Sequence, residues 1–335
     1  MKKILVTGGC GYIGSHTVVE LLNNGYEVVI IDNLINSKRE VIDSIKSITG
    51  RDVIFYEGNV QDEKLLVSIF EKEKVDAVIH FAGLKAVGES VEKPIEYYKN
   101  NLDSTLVLLD VMRKFNVKKI IFSSSATVYG SLNKVPFRED MEIGGTTNPY
   151  GTTKLFIERI LNDLSVSDKD FSIIMLRYFN PIGAHSSGLI GDNPNGIPNN
   201  LMPYVCKVAT GELEILSVFG DDYPTHDGTG VRDYIHVMDL ALGHVKALDK
   251  VFSSKGVNVY NLGTGIGYSV LDIVNSFERV NKTKVPYVIK DRREGDIAEA
   301  YADVDKAYQE LGFKARYGID DMVRDSYSFY VKNKR

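Results

Sequence analysis

The sequence of 335 residues contains no tryptophan, nine prolines and only two cysteines, Cys10 and Cys206. Because these cysteines lie far apart in unrelated contexts, they do not suggest the disulfide framework of a small secreted domain, and a reducing compartment is favoured. No segment has the roughly 18 apolar residues that a membrane-spanning helix needs. The opening MKKILVTGG begins with two lysines, as a signal peptide does, but its apolar run soon ends. These absences predict a cytoplasmic protein.

A large excess of one charge is also missing, since 40 Lys and Arg residues stand against 45 Asp and Glu residues, a net charge of -5. No long basic run is present, so neither nucleic acid nor an anionic membrane is expected as a partner. The six histidines form no defensible metal-ligand spacing with cysteines or carboxylates, and no metal is predicted. His80, inside an apolar run, is interpreted as a buried residue whose hydrogen bonds are satisfied.

The first half of the chain alternates short apolar runs with longer amphipathic stretches. The runs are KILVTG, EVVIID, VIFYEG, AVIHFAG, KKIIFSSSA and FSIIMLRYF. Runs so rich in Val, Ile and Phe, separated by helices, are typical of strands buried on both faces of a parallel sheet. Residues 1–180 are therefore predicted to form an α/β, doubly wound (Rossmann) domain that binds a dinucleotide.

After Asn180 the composition changes. Segments rich in Gly, Pro, Asn and Asp predict long loops, followed by strands at NVYNLGTG and VPYVIK and a helix from Ile319 onward. Residues 181–335 are interpreted as a smaller C-terminal α/β domain, mainly for substrate binding. Without a linker or repeat between them, the two parts are expected to interlock around a cleft.

The segment VTGGCGYIGS places Gly8, Gly11 and Gly14 directly after the first predicted strand and at the start of a helix. Glycines allow the backbone to turn tightly and approach a pyrophosphate, which then meets free amides at the helix N-terminus. The helix stops at Gly25, and the second strand ends at Asp32. A carboxylate at this position accepts hydrogen bonds from ribose hydroxyls and repels a 2′-phosphate, so NAD is predicted rather than NADP.

The segment NPYGTTKLF predicts a helix that begins with Asn148 as N-cap and Pro149 at its first position. Tyr150 and Lys154 then lie one turn apart. The Lys154 ammonium is expected to favour the ionised phenol and to bring the Tyr150 pKa from about 10 towards neutrality. Phe156 is expected on the inward face of this helix.

Tyr150 gains support as a general base from the serines of IFSSSATVYG, Ser123 to Ser125, at the end of the fifth strand. A hydroxyl there can hydrogen-bond a reacting oxygen while Tyr150 exchanges its proton. The alternative is that these serines only cap backbone groups. The same Tyr-x-x-x-Lys spacing recurs at Tyr330 and Lys334, but no serine strand end accompanies it, so that pair is interpreted as a chance match.

These motifs, in this order, resemble the extended short-chain dehydrogenase/reductase superfamily over nearly the whole chain. Within it, FAGLKAVGES, FSSSATVYG, RYFNPIGAH, NNLMPYV, GTGVRDYIHVMDLA and RREGD resemble the UDP-glucose 4-epimerase family. The resemblance implies that Ser125 and Tyr150 act on the sugar 4-hydroxyl, and that Lys154 binds the nicotinamide ribose and lowers the Tyr150 pKa. The implied cofactor-binding residues are Gly8, Gly11, Tyr12, Ile13, Gly14, Asp32, Asn33, Asn36, Ser37, Asn59, Val60, Phe81, Ala82, Gly83, Lys85, Asn100, Ser123, Tyr150, Lys154 and Tyr178.

The resemblance also implies a site for a UDP-sugar substrate. Its residues would be Lys85, Ser125, Tyr150, Asn180, Asn200, Leu201, Phe219, Arg232, Arg293, Asp296 and Ala300. Arg232 and Arg293 would face the diphosphate, for which the guanidinium fork is suited. The alternative for Arg293 is a surface ion pair with Glu294 or Asp296.

The implied reaction is epimerisation between UDP-glucose and UDP-galactose by transient oxidation at C4, with retained NAD and rotation of the 4-keto intermediate. Another NAD-dependent nucleotide-sugar enzyme of this type and a non-catalytic dinucleotide sensor remain alternatives. A 4,6-dehydratase is disfavoured because Ala126 and Thr127 stand where such enzymes carry an acidic pair. Members of the family are commonly homodimers.

Two positions depart from the family pattern. Ala300 stands where strict glucose/galactose enzymes carry tyrosine, so interconversion of UDP-GlcNAc and UDP-GalNAc is also predicted, because the smaller side chain leaves room for an N-acetyl group. Asn59 stands where aspartate usually contacts the adenine amino group. Its carbonyl oxygen can still accept that hydrogen bond, so only a modest weakening is expected.

Overall fold

The computed structural model of the chain describes residues 1–131, 133–194, 196, 198–293 and 295–334. Its strands are β1 (Lys3–Thr7), β2 (Glu27–Asp32), β3 (Ile54–Glu57), β4 (Ala77–His80), β5 (Lys119–Ser125), β6 (Ser172–Tyr178), β7 (Asn180–Ile182), β8 (Leu216–Phe219), β9 (Val231–His236), β10 (Gly256–Leu262), β11 (Gly267–Ser269), β12 (Tyr287–Lys290) and β13 (Glu299–Ala300). Its helices are α1 (Tyr12–Asn23), α2 (Glu40–Thr49), α3 (Glu63–Glu73), α4 (Val87–Glu92), α5 (Pro94–Lys114), α6 (Pro149–Ser167), α7 (Leu201–Ala209), α8 (Val237–Ser253), α9 (Val270–Asn281), α10 (Asp305–Leu311) and α11 (Ile319–Asn333), with a 3-10 turn at Ala126–Tyr129.

The central sheet has seven parallel strands in the order β10, β6, β5, β4, β1, β2, β3. The order reverses between β1 and β4, so the carboxyl ends of these two strands form the crevice in which open α/β sheets bind ligands. Successive side chains of β1 enter different cores: Ile4 and Val6 pack on one face and Leu5 on the other. Each such fully buried aliphatic side chain stabilises the fold by about 1.5–3 kcal/mol. The doubly wound prediction is confirmed.

All six predicted strand runs form strands of this sheet. The segment NVYNLGTG, which was predicted as a strand of the C-terminal domain, also belongs to it. It forms β10, which pairs with the free edge of β6 from Gly256 opposite Ser172 to Leu262 opposite Tyr178. The preceding helix, α8, packs against α1. Segments after residue 180 therefore complete the first sheet and cover one of its faces, because a parallel sheet needs both faces and its edges covered.

The remaining segments form a smaller layer beside the carboxyl edge of the central sheet. Strands β7, β9, β11 and β13 make one small sheet, and β8 pairs with β12 in another. Asp233 on β9 is fully buried and accepts hydrogen bonds from the backbone N–H groups of Thr264, Gly265 and Ala302. This carboxylate fixes the loop after β10 and the end of β13 against β9. The sequence analysis predicted long loops after Asn180 and did not predict α7, α8, β8 or β9.

Several local expectations can be compared with the structure. His80 is buried between the hydroxyls of Thr7, 2.8 Å from Nδ1, and Thr105, 3.1 Å from Nε2, as interpreted. Both cysteines are buried and free. Among the described residues, no helix combines the length and apolar character needed to cross a membrane. The expectation for Phe156 is wrong, since this side chain is 40% exposed on the outer side of α6.

Candidate active site

The glycine turn after β1 forms a cradle at the carboxyl edge of the sheet. Gly8 has a φ of +71°, and a Cβ atom there would lie 2.9 Å from the backbone N of Ala82. A Cβ atom on Gly14 would collide with the carbonyl oxygen of Gly8. Gly11 is the N-cap of α1 and supplies no side-chain cap, so the first amides of α1 keep their donors for a ligand. This shape and the positive helix end fit a pyrophosphate.

Asp32 lies at the end of β2, 7% exposed, beside this turn. Its carboxylate accepts hydrogen bonds from the backbone N of Cys10 and of Leu34, each at 2.9 Å, and from the Ser37 hydroxyl at 2.9 Å. A carboxylate has about four lone-pair sites, so one remains for a ribose hydroxyl. The neighbouring Asn33 and Asn36 are exposed at the rim.

The Asn59 side chain is partly engaged in its own turn. Its Oδ1 accepts the backbone N–H of Gln61 at 3.0 Å, and its Nδ2 donates to the Gln61 side chain at 3.1 Å. Asn59 is exposed and Val60 beside it is buried. The second lone pair of Oδ1 is the one that an adenine amino group could use.

The loop after β4 carries Phe81, Ala82, Gly83 and Lys85 and is fixed by a residue that sequence reasoning missed. Asn101, 2% exposed on α5, accepts the backbone N–H of Leu84 at 2.8 Å and donates to the Leu84 carbonyl at 3.1 Å and to the Thr153 hydroxyl at 3.0 Å. It thereby joins the loop to α6. Nothing in the local sequence distinguishes this amide from the other buried polar residues of α5, Ser104 and Thr105.

Other residues that were predicted to bind the cofactor make contacts near the loop after β4. Asn100 donates to the Asn101 side chain at 3.0 Å, and Lys85 lies 3.8 Å from the Asp192 carboxylate. Tyr12, next to the half-buried Ile13, donates its hydroxyl to the Gly183 carbonyl at 2.7 Å and so links α1 to the segment after β7.

Tyr150, Lys154 and the serines of β5 meet where α6 packs on the sheet. Helix α6 begins at Pro149, and the Asn148 side chain accepts the backbone N–H of Gly151 at 2.8 Å, as predicted for an N-cap. Lys154 is 7% exposed, and its Nζ donates to the Ser123 carbonyl at 2.7 Å. The same nitrogen lies 5.8 Å from the centre of the Tyr150 ring. The predicted constellation is therefore assembled.

The electrostatics of this group differ from the expectation. Burial raises the pKa of Tyr150 above its ordinary value of 10.0, and the Ser125 hydroxyl only partly lowers it. Burial also lowers the pKa of Lys154 to about 8. The prediction that Lys154 moves the Tyr150 pKa towards neutrality is wrong for this structure, because the ammonium is engaged by the Ser123 carbonyl and burial is the larger effect.

Tyr178 borders the same group at the end of β6. Its hydroxyl hydrogen-bonds the ring of His244 on α8, and burial raises its pKa well above 10.0. Ser123 lies close enough to lower this pKa in part. Tyr178 therefore ties the serine strand end to α8, a helix from the second half of the chain.

On the opposite side of the cleft, both predicted arginines lie near Tyr234 of β9. Burial raises the Tyr234 pKa to about 12, and the charges of Arg232 and Arg293 partly oppose the rise. Arg293 forms the anticipated ion pair with Asp296, at 2.8 Å, and stacks 4.9 Å from the centre of the Phe219 ring. Glu294, the other suggested partner, lies outside the described residues.

Of the remaining residues predicted to bind the substrate, Ala300 lies next to one of these arginines. Ala300 of β13 is opposite Arg232 of β9 in the register. It packs against a small apolar cluster that includes Tyr129, Phe179 and Ala126, the residue after Ser125. The same cluster therefore contacts both Ala300 and the turn that follows Ser125. Exposed or half-exposed positions are found for Asn180, Asn200 and Leu201.

Comparison with known proteins identifies the family. The sequence model of the family described as GDP-mannose 4,6 dehydratase matches residues 5–326. The UDP-glucose 4-epimerase of Bacillus subtilis (strain 168) is 60% identical over 330 residues, 98% of this chain and 97% of that protein. The chain belongs to the UDP-glucose 4-epimerase family.

Two solved structures of the family resemble this chain closely. The UDP-glucose 4-epimerase from Bifidobacterium longum, in complex with NAD+ and UDP, is 58% identical, with a TM-score of 0.96 and coverage of 99% of each chain. The UDP-Glc/GlcNAc 4-epimerase from Campylobacter jejuni is 33% identical, with a TM-score of 0.86 and coverage of 99% of this chain and 100% of that one.

Two groups outside the cleft have ordinary structural explanations. The Tyr330 hydroxyl donates to the Asp192 carbonyl at 2.9 Å, and Lys334 donates to the Thr210 carbonyl, so the second Tyr-x-x-x-Lys match tethers α11. The structure also brings together His226, Asp227 and Asp272, which the sequence spacing did not indicate, with ligand atoms within 4.8 Å of one another. Both carboxylates already accept hydrogen bonds, from the backbone of Thr229 and Ser269 respectively.

The lowered pKa of Lys154 predicts a pH dependence of stability. A lysine whose folded pKa, about 8, is below the ordinary 10.5 binds its proton more weakly in the folded chain than in the unfolded chain. Between these two pH values the unfolded chain holds the extra proton, so this lysine makes the free energy of unfolding rise with pH.

We expect Lys154→Met to abolish this contribution, so that its stability relative to the wild type should fall by on the order of 3 kcal/mol between pH 7 and 10.5. Denaturant unfolding of both proteins over this pH range measures the change. Two parallel curves would contradict the assigned shift. Lys334→Met, at the C-terminal tether, serves as the matched control.

Proposed function

We propose that this chain is an NAD-dependent epimerase that interconverts UDP-glucose and UDP-galactose at C4 of the hexose. The observation that supports this best is the convergence of Ser125, Tyr150 and Lys154 beside the glycine cradle at one edge of the sheet. The family relatives that match nearly the whole chain carry this name. The finer steps below follow from the chemistry of the residues.

The residues at the sheet edge fit NAD. The cradle of Gly8, Gly11 and Gly14 would hold the pyrophosphate, Asp32 the adenosine ribose, and Lys154 the nicotinamide ribose. The charge and burial of Asp32 disfavour the 2′-phosphate of NADP. When bound, NAD supplies the hydride acceptor and donor at C4. Retention of the cofactor through the cycle means that no net redox change occurs.

Tyr150 acts as the base that removes the proton of the 4-hydroxyl and returns it in the second half of the reaction. For this it must ionise despite the burial that raises its pKa. The Ser125 hydroxyl counters that rise and can hydrogen-bond the reacting sugar oxygen. Lys154, with a pKa of about 8, is largely protonated at neutral pH and supplies the positive charge of the site.

The nucleotide must be anchored firmly while the hexose turns. Arg232 and Arg293 offer guanidinium forks to a diphosphate, and Phe219 backs the Arg293 plane. The oxidised sugar can then rotate about the diphosphate linkage and present its other face. We propose that residues 1–180 bind NAD and that residues 181–335 mainly bind the nucleotide sugar.

Elimination and pure sensing are less well supported. The residues after Ser125 are Ala126 and Thr127, so no carboxylate of that segment is available to remove and deliver the extra protons of a dehydration. A sensor without catalysis has no need for a buried lysine next to a buried tyrosine, since burial of a lysine charge is unfavourable.

We also propose that the site accepts N-acetylated hexoses. Ala300 lies beside the apolar cluster that adjoins the serine strand end. A methyl group there leaves space that a tyrosine ring would fill. The related structure from Campylobacter jejuni is named a UDP-Glc/GlcNAc 4-epimerase, so both substrates occur within the family.

Finally, we propose that the chain forms a homodimer in the cytoplasm. Helix α5 exposes a stripe at helical spacing, with Ile95 60% exposed and Leu106 45% exposed. The ring of Tyr98 on this stripe lies 6.1 Å from that of Phe156 on α6. An apolar face across two packed helices is suited to association with a second copy. Two buried free thiols agree with a reducing compartment.

Replacing Tyr150 by phenylalanine tests the general base. We expect kcat for UDP-galactose to fall roughly 10²- to 10⁴-fold, because proton transfer by a positioned side chain contributes a factor of that size. The coupled assay of UDP-glucose formation should be run with and without added NAD. Tyr330→Phe, which removes the hydroxyl of the chance match, should keep wild-type kcat. Undiminished turnover by Tyr150→Phe would exclude it as the base.

Replacing Ala300 by tyrosine tests the substrate range. In the wild type we expect comparable kcat/KM for UDP-galactose and UDP-GalNAc. The substitution should lower kcat/KM for the acetylated substrate about 100-fold or more relative to the plain one, because the ring occupies the space of the N-acetyl group. Inactivity of the wild-type protein on both acetylated sugars would refute the claim.

The dimer is tested by placing a charge on the exposed stripe. Light scattering should give the wild type twice the chain mass of 37.4 kDa. Leu106→Glu combined with Phe156→Glu should give the single mass, because the apposed carboxylates would be desolvated in the interface. Tyr308→Glu, at an exposed ring on α10 away from this stripe, should leave the dimer intact. A wild type of single mass would contradict the proposal.

A further inference from the structure

A buried ion pair lies next to the candidate catalytic group and has no part in the function proposed above. Glu158, on α6 one turn after Lys154, is 1% exposed, and Arg177, on β6, is 3% exposed. Arg177 donates from Nε to Glu158 Oε1 at 3.0 Å and from Nη2 to Oε2 at 2.8 Å. Removing two charges from water is unfavourable by several kcal/mol per ion, so a buried pair is weak evidence for stability. The geometry that it fixes is the more informative property.

The pair joins the elements that carry the reacting groups. The Ser124 hydroxyl, between Ser123 and Ser125 on β5, donates to Glu158 Oε1 at 2.6 Å. One turn earlier on α6, Lys154 donates to the Ser123 carbonyl at 2.7 Å. Two successive turns of α6 are therefore bonded to two successive residues of β5. A helix held at two such points cannot slide along the strand without breaking both contacts.

Arg177 extends the cluster to the turn that follows Ser125. Its Nη1 donates to the Tyr129 hydroxyl at 3.0 Å, and that hydroxyl donates to Asn261 Oδ1 at 2.7 Å. Burial alone would lower the pKa of Arg177, but hydrogen bonds and the charge of Glu158 raise it above its ordinary value. The guanidinium therefore stays charged and bonds β6 to α6 and to the turn after β5, while Ser124 and Tyr129 extend the cluster to β5 and β10.

We propose that Glu158 and Arg177 are positioning residues that fix the axial position of α6 against β5, and with it the separation between the Tyr150 phenol and the Ser125 hydroxyl. The proposal rests on the function proposed above. Neither residue touches the substrate; they act through Ser124 and through the helix that carries Tyr150. Misplacement of a reacting group by 1 Å can lower a rate about 100-fold, so this constraint belongs to catalysis as well as to folding.

The first test is Glu158→Gln, which keeps the size of the side chain but removes its charge and replaces one of its two acceptor oxygens by an amide donor. We expect kcat for UDP-galactose to fall about 10- to 100-fold while KM changes little, because the loss is in the geometry of the reacting groups. Arg177→Lys should do the same, because lysine lacks the fork that contacts both carboxylate oxygens. The double variant Glu158→Leu with Arg177→Met leaves no unpaired buried charge, so it should fold and remain slow.

A control separates positioning from a general loss of stability. Asp239 is 1% exposed on α8 and accepts the backbone N–H groups of Arg316 at 2.9 Å and Tyr317 at 3.0 Å. Asp239→Ala leaves two backbone N–H groups without their acceptor, so it should lower the melting temperature as Glu158→Gln does, yet keep wild-type kcat. Wild-type kcat in Glu158→Gln and in the double variant would overturn the proposal.

A readout that does not need turnover distinguishes this inference from the proposed function. With ¹³C-labelled tyrosine, the Tyr150 ring signal is assigned by its absence in Tyr150→Phe. We expect Glu158→Gln to shift this signal, and Asp239→Ala to leave it in place. An unshifted signal in Glu158→Gln overturns the positioning role. A wild-type protein without epimerase activity contradicts the proposed function, whereas the signal shift would still support the positioning role.

Discussion

The contact between Lys154 of α6 and the Ser123 carbonyl of β5 is the interaction on which the candidate site depends. It joins, at 2.7 Å, a buried ammonium to the strand that ends in Ser125. Because the donor is charged, this hydrogen bond is stronger than one between neutral groups. It fixes one turn of α6 to the sheet, and Tyr150, one turn earlier on the same helix, is placed beside Ser125 as a result. If this helix were displaced, base, hydroxyl and cofactor cradle would no longer share one edge.

The glycine turn imposes a different constraint, because two of its positions must carry no side chain. A Cβ atom on Gly14 would meet the Gly8 carbonyl, and one on Gly8 would meet the backbone of Ala82. The turn can therefore lie close to the loop after β4 only if both positions lack side chains. That close approach brings the amides of α1 and the loop residues to one face. The proposed cofactor site is thus shaped mainly by backbone, and the proposed chemistry depends on side chains from α6 and β5.

Features governed by neighbouring residues could be predicted from the sequence. The start of α6 follows from Asn148 and Pro149, and the buried strands follow from continuous apolar runs, because capping and burial on both faces leave local signals. The pairing of β10 with β6 could not be predicted, since its partners lie 84 residues apart in the chain from Ser172 to Gly256 and the runs themselves do not specify which edge they join. The expectation for Phe156 was wrong for a related reason, since a single apolar residue in a helical pattern does not show whether it faces the core or solvent.

The sign of the Tyr150 pKa shift shows where sequence reasoning about sites reaches its limit. Spacing on a helix shows that an ammonium is near, and a nearby positive charge lowers a phenol pKa. Spacing does not show how deeply both groups are buried, and burial acts on them in opposite directions, raising the pKa of Tyr150 and lowering that of Lys154. Both shifts favour the neutral pair, so ionisation of Tyr150 depends on groups that compensate for lost water. Ser125 is one such group, because its hydroxyl partly lowers the Tyr150 pKa. The proposed role of Tyr150 as a base therefore depends on the assembled cleft and not on the Tyr-x-x-x-Lys spacing alone. Tyr330 and Lys334 have the same spacing, but their side chains only tether α11.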